Sequence, residues 1–153
     1  MDIDLRIAGT EDLDLVLGLM RELYECDHMA FDGPRARRAL AELLAEPAFG
    51  RAWLAVAGGE VIGYAVLTLG YSLEFGGRFA VLDELFILES RRGQGAGRQV
   101  LLRIEKAGRA LGLHAIRLEV SRTNRARDLY RRVGYEAHDR DLMTLWLEGK
   151  EEA

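Results

Sequence analysis

The sequence predicts an α/β protein with a mixed central sheet flanked by helices, in the order β-α-α-β-β-β-α-β-α-β-β. Three observations carry this expectation. Short apolar runs of period two alternate along the chain with runs of helical period. A glycine-rich turn, "RRGQGAGRQ", separates a strand-like apolar run from an amphipathic helical run. The 153 residues contain no repeat, low-complexity segment or Pro/Ser-rich linker, so residues 1–153 read as one domain, large enough to bury a core.

The elements follow in order. Ile3, Leu5 and Ile7 alternate with polar residues and mark the first strand. Thr10 is placed to cap a helix whose first turn carries Glu11, Asp12 and Asp14, the charge that suits a helix N-terminus. Leu13, Val16, Leu17, Met20, Leu23 and Tyr24 form its apolar stripe. The loop "ECDHMAFDG" follows, and Asp32 with Pro34 opens a second helix, closed by Pro47. "RAWLAVAGGEVIGYAVLTL" reads as a hairpin turning at Gly58-Gly59. After a second turn region, "GYSLEFGGR", comes the largely apolar strand "FAVLDELFIL". The helix after the glycine turn, 98–111, buries Val100, Leu101, Ile104 and Ala107 and stops at Gly112. "HAIRLEV" is the next strand, "NRARDLYRRVG" a short helix, and "YEAH" and "LMTLWLE" the last two strands. Trp53 and Trp146 both read as core.

Composition narrows the function. The net charge of −4 argues against a general nucleic-acid binder. No apolar run has the length of a membrane span, and the acidic start is unlike a signal peptide, so a cytoplasmic protein is the simplest reading. Cys26 is the only cysteine, and no His/Asp/Glu spacing resembles a metal site, so no metal is expected.

The chemistry of the glycine turn suits an anion site, with a glycine-rich left-handed turn carrying solvated arginines as the alternative reading. Gly93, Gly95 and Gly97 let backbone amides approach a ligand, and those amides lie at the positive end of a helix. Arg91, Arg92 and Arg98 add charge, with Gln94 and Ala96 between the glycines. A Walker loop is excluded, because Gly97 is followed by Arg98 and Gln99 instead of Lys and Ser/Thr. A dinucleotide fingerprint fails too, because Arg98 and Val100 stand where its last glycine belongs.

"LFILESRRGQGAGRQVL" resembles the acetyl-CoA motif of the GNAT acetyltransferase superfamily, R/Q-x-x-G-x-G/A after the fourth strand. "ARDLYRRVGYE" resembles the family's second hallmark, a helix with a Leu-Tyr pair ending in Gly-Phe or Gly-Tyr. "VLDELFILESRRGQGAG" is similar to the spermidine/spermine acetyltransferases. The resemblance implies acetyl-CoA as donor, with its pyrophosphate at Arg92, Gly93, Gln94, Gly95, Ala96, Gly97 and Arg98. It implies pantetheine against Leu85, Phe86 and Ile87, where the fourth and fifth strands splay, and against Asn124. It implies Tyr130 as the acid at the leaving sulfur.

Amide formation also needs a base, because an alkylammonium of pKa near 10.4 is neutral in only about one part in a few thousand at pH 7. Asp83 and Glu84 are both candidates. The two-residue period points them to opposite faces of their strand, and a pair of structural acids is the alternative reading. Asp27, His28 and Glu74 are the candidates for receiving the acceptor. The expected reaction is direct acetyl transfer to a primary amine of a small cationic acceptor, polyamine- or diamine-like. A protein lysine or N-terminus is the alternative acceptor, and a non-catalytic acyl-CoA-binding module the alternative function. The resemblance also allows a homodimer through the C-terminal strands.

Overall fold

The computed structural model describes residues 1–149. Five strands form one mixed sheet in sequence order: β1 (Ile3–Ile7), β2 (Gly50–Ala57), β3 (Glu60–Ser72), β4 (Gly77–Ile87) and β5 (Ala115–Arg117). The first four pair antiparallel and β5 joins β4 in parallel. The helices are α1 (Leu13–Cys26), α2 (Gly33–Ala45), α3 (Ala96–Ala110) and α4 (Ala126–Arg132).

The strands' alternation divides the core into two layers. On one face Val16, Leu19 and Met20 of α1 and Leu40 of α2 pack on Leu54, Tyr64, Val66 and Phe86. On the other face Val100, Leu101 and Ile104 of α3 pack on Ile3, Trp53, Leu67 and Leu82, with Leu129 and Tyr130 of α4 beside them. Among the described residues no helix is long and apolar enough to cross a membrane.

Several local expectations are corrected. Thr10 does not cap α1. Residues Thr10–Asp12 form a 3₁₀ turn, and the Asp12 carboxylate accepts the Gly9 amide at 2.9 Å while facing Arg6. The glycine-loop helix begins at Ala96, two residues earlier than expected. The fifth strand is shorter than "HAIRLEV", because its ladder to β4 ends at the pair Val81–Arg117. The last two expected strands, "YEAH" and "LMTLWLE", are absent from the described residues. An alternating sequence becomes a strand only where a neighbouring ladder takes its amides and carbonyls. None is present there, so Leu142, Met143, Leu145, Trp146 and Leu147 are exposed, and Trp146 is not core.

Candidate active site

β4 is where the sheet opens. Its residues Leu85, Phe86 and Ile87 stay paired to β3 opposite Ala65, Tyr64 and Gly63. Their other edge has lost β5, whose ladder stopped at Val81. A backbone edge left inside the fold needs hydrogen-bonding partners, and this one offers them to an extended ligand. The Ile87 carbonyl already accepts Arg92 Nε at 2.9 Å.

The glycine loop stands at the C-terminal end of this edge. Gly93 and Gly95 both have φ of +76°, and a Cβ at either would meet no protein atom within 4 Å. The left-handed backbone therefore excludes other residues, and open space lies where their side chains would be. Gly95 is the N-cap of α3 and has no side chain to satisfy the helix's first amides. Helix geometry leaves Ala96, Gly97 and Arg98 as donors without intrahelical acceptors, at the positive end of a four-turn helix. Two of the three arginines, Arg92 and Arg98, make no ion pair among the described residues. Arg91 is ion-paired with Glu60, and Arg92 is turned back over the Phe86 ring at 5.4 Å. Arg98 is exposed and makes no ion pair among the described residues. Gln94 is exposed on the loop, whereas Ala96 is buried beneath it.

Asp83 and Glu84 do not alternate as a regular strand would. Val66 pairs with Glu84 and Leu67 with Leu82, so Asp83 is the extra residue of a β-bulge. The bulge turns Glu84 onto the α1 face. There Tyr24 of α1 donates its hydroxyl to Oε2 and Tyr64 of β3 donates to Oε1, both at 2.9 Å. Burial raises the proton affinity of Glu84, the two phenols lower it, and the nearby Asp83 charge raises it again. The Asp83 charge also reaches Tyr24 and Tyr64, so both carboxyls address one side of the sheet, against the expectation of opposite faces. Burial raises the proton affinity of Asp83, whose carboxyl makes no hydrogen bond among the described residues.

Tyr130 of α4 reaches the same opening from the other side. Its ring sits edge-on to Tyr135, with centroids 5.8 Å apart, and its hydroxyl makes no hydrogen bond among the described residues. Burial, and then the Asp27 carboxylate, raise its pKa. Asp27 lies just past the end of α1. His28 follows in a left-handed conformation, φ 54°, which terminates the helix. Asn124 is committed in part to its own turn, since its Oδ1 accepts the Ala126 amide at 2.9 Å. Glu74 is not brought to this group. It lies in the β3–β4 turn, at the far end of β4 from the acids, and pairs with Arg140 at 3.2 Å.

An open groove of about 1090 Å³ runs along the outer edge of β5, lined by Ile116, Leu118, Tyr130 and Tyr135. It touches Tyr130 but neither acid nor the glycine loop. The chemistry lies in the splay, where donors and carboxyls converge. Tyr24 and Tyr64 were invisible in sequence as members of the site. Tyr24 sits in the apolar stripe of α1 and Tyr64 in a buried strand, and their partner is 60 and 20 residues away.

Comparison with known proteins agrees with this geometry. Residues 17–135 match the model of the Acetyltransferase (GNAT) family. The aminoalkylphosphonate N-acetyltransferase of Salmonella typhimurium is 34% identical over 136 residues, covering 87% of this chain and 84% of that protein. The thialysine N-epsilon-acetyltransferase of Bos taurus is 30% identical over 140 residues, covering 85% and 82%. Among solved structures, an integron cassette protein from the mobile metagenome of Cole Harbour Salt Marsh superposes with a TM-score of 0.83 at 34% identity, covering 94% of this chain and 90% of that one. A predicted acetyltransferase of Clostridium acetobutylicum, solved with acetyl-CoA, shares the fold with a TM-score of 0.79 at 18% identity, covering 98% and 100%. The chain belongs to the GNAT acetyltransferase family and is one of its N-acetyltransferases.

Proposed function

We propose that this chain transfers the acetyl group of acetyl-CoA directly to a primary amine of a small acceptor. The observation that carries the reading is a convergence at the β4/β5 splay. An amide cradle from α3, two carboxyls from β4 and a phenol from α4 flank it, three elements in all.

In this reading the pyrophosphate takes the amides of Ala96, Gly97 and Arg98, with Arg98 as countercharge. Pantetheine runs along the free edge of Leu85–Ile87 and against Asn124, whose side-chain amide hydrogens are not used by its own turn. The acceptor ammonium lies by Asp83 and Asp27. Its N–H bond breaks, the proton passes to Asp83, and the electron pair left on nitrogen attacks the thioester carbonyl. The C–S bond then breaks, with its pair on sulfur, and the second proton leaves the amide nitrogen for that thiolate, directly or through water, giving the neutral amide and coenzyme A thiol. Freeing the amine costs about 4–5 kcal/mol at pH 7, which a nearby carboxylate offsets.

Asp83 suits the base role better than Glu84, because its oxygens have no hydrogen-bond partner among the described residues and both Glu84 oxygens do. Tyr130 suits a narrower role than full acid. A phenol near 10 is already a weaker acid than a thiol near 8.5, and burial with Asp27 raises it further. Its hydroxyl stays protonated and supports the departing sulfur by a hydrogen bond.

The acids favour a small cationic amine. The named substrates of the two relatives, an aminoalkylphosphonate and thialysine, belong in the same panel as diamines and polyamines. The exposed run 142–147 is where we place contact with a second copy of the chain. The functional test is release of coenzyme A thiol from acetyl-CoA with this panel, lysine peptides and free protein N-termini. Release with small amines alone is expected. Release with peptides alone would move the acceptor to protein. Binding of acetyl-CoA with no release across the panel would favour a binding module.

A further inference from the structure

The Tyr24–Glu84–Tyr64 cluster is more than the proposed transfer needs. A buried tyrosine requires one acceptor for its hydroxyl, and a backbone carbonyl would serve. Here two phenols, from α1 and β3, spend their only donors on the same carboxyl, one on each oxygen. Tyr64 is 0% exposed and Tyr24 is half-buried, with Phe31 edge-on to its ring at 5.4 Å. Burial, first, and the Asp83 charge raise the proton affinity of Glu84, and the two hydrogen bonds, which are strongest to a carboxylate, fix its orientation and work against that rise. The fixed charge stands one residue from Asp83, on the same side of a bulge.

We propose that Tyr24 and Tyr64 are positioning residues for acetyl transfer, holding Glu84 as a fixed carboxylate whose charge makes the neighbouring Asp83 the stronger proton acceptor. The proposal rests on the reading of Asp83 as the base. Repulsion between two carboxylates is mutual, so a charge locked on Glu84 disfavours a second charge on Asp83 and strengthens its hold on a proton. The groups facing this pair are few. They include Tyr24 from α1 and Tyr64 from β3, with Asp27 and Tyr130 across the splay. Two cations stand on the flanks: Arg92, over the Phe86 ring and donating to the Ile87 carbonyl, and Arg21 of α1, over the Phe31 ring that packs on Tyr24.

The experiment follows the side-chain carboxyl carbons of Asp83 and Glu84 by NMR through a pH titration, in wild type, Tyr24→Phe, Tyr64→Phe and Glu84→Gln. Phenylalanine keeps each ring and removes one donor. In both tyrosine variants the Glu84 midpoint is expected to rise and the Asp83 midpoint to fall, each by about half a unit or more. In Glu84→Gln the Asp83 midpoint falls furthest. Adding either tyrosine change to Glu84→Gln then moves it no more. The acidic limb of the kcat profile should move with the Asp83 midpoint. Midpoints that stay in place while only the melting temperature falls would show that the tyrosines are structural, overturning the proposal. Tyr24→Phe, on the half-buried helix, keeps the test available if Tyr64→Phe does not fold. Asp83→Asn separates the two claims. If it keeps wild-type turnover, the base assignment fails. If it loses turnover while the tyrosine variants leave both midpoints unmoved, only the positioning role fails.

Discussion

The two walls of the site differ in how complete they are. On the acidic wall, Glu84 has a donor on each oxygen, and α1, β3 and β4 are tied together through it. On the opposite wall, the glycine loop presents helix-terminal amides without acceptors and two left-handed glycines facing empty space. One wall is finished by folding and the other only by a ligand. The difference teaches where substitutions should act. Changes to the acidic wall alter proton handling and stability together, whereas changes to the loop alter binding and leave the fold nearly untouched.

The largest effect is expected from Asp83→Asn, which removes the proposed proton acceptor and leaves the Glu84 bonds in place. Its kcat should fall roughly a hundredfold or more, the span usual for losing a general base. Steady-state rates beside an acetyl-CoA titration would check that the donor's Kd is retained. Gly95→Val attacks the other wall. At φ +76° a β-branched residue costs on the order of 1–2 kcal/mol, and its side chain enters the ligand's space. Calorimetry should find acetyl-CoA binding lost while circular dichroism still reports the fold. Retained binding would contradict the cradle. Tyr130→Phe should be milder, about tenfold in kcat with acetyl-CoA affinity unchanged. An equal loss of both would reassign the ring to packing.

The smallest expected effect is on stability and comes from the pH dependence of the acids. Burial raises the Asp83 proton affinity in the folded state. Such a group favours the folded form below its ordinary carboxylate value. That advantage is lost as pH rises through the raised folded value. Asp83→Asn should therefore match wild type in melting temperature near pH 3 and gain slightly on it by pH 7. Asp12 works in the opposite sense. The Gly9 amide lowers its pKa against a smaller opposing burial effect, with Arg6 helping, so its contribution is present above pH 4 and lost in acid.

What was legible in sequence was local. Gly93 and Gly95 announced a left-handed turn because a missing Cβ removes the strain of that conformation. Asp32 with Pro34 announced the start of α2, and the Asp32 carboxylate does accept the Arg35 amide at 3.1 Å. What was not legible depended on pairing. The two-residue period put Asp83 and Glu84 on opposite faces, and a single register shift against Val66 and Leu67 overrode it. Thr10 had the chemistry of a cap, yet residues 10–12 wind into a 3₁₀ turn in which the Asp12 amide donates to the Gly9 carbonyl. The tyrosines on Glu84 arrive from other elements, so no local spacing announces them. The alternation of 142–148 carried strand character without a strand beside it. Glu74 read as a candidate for receiving the acceptor and pairs instead with Arg140, 66 residues away.

The most direct test of the account is the rate of coenzyme A thiol release against pH, with a saturating small primary amine, for wild type and Asp83→Asn. The account predicts a wild-type kcat that rises through an acidic limb above the ordinary aspartate range. The variant should be roughly a hundredfold slower and lack that limb. A variant with the same limb and the same rate would contradict the claim that this carboxyl takes the acceptor's proton.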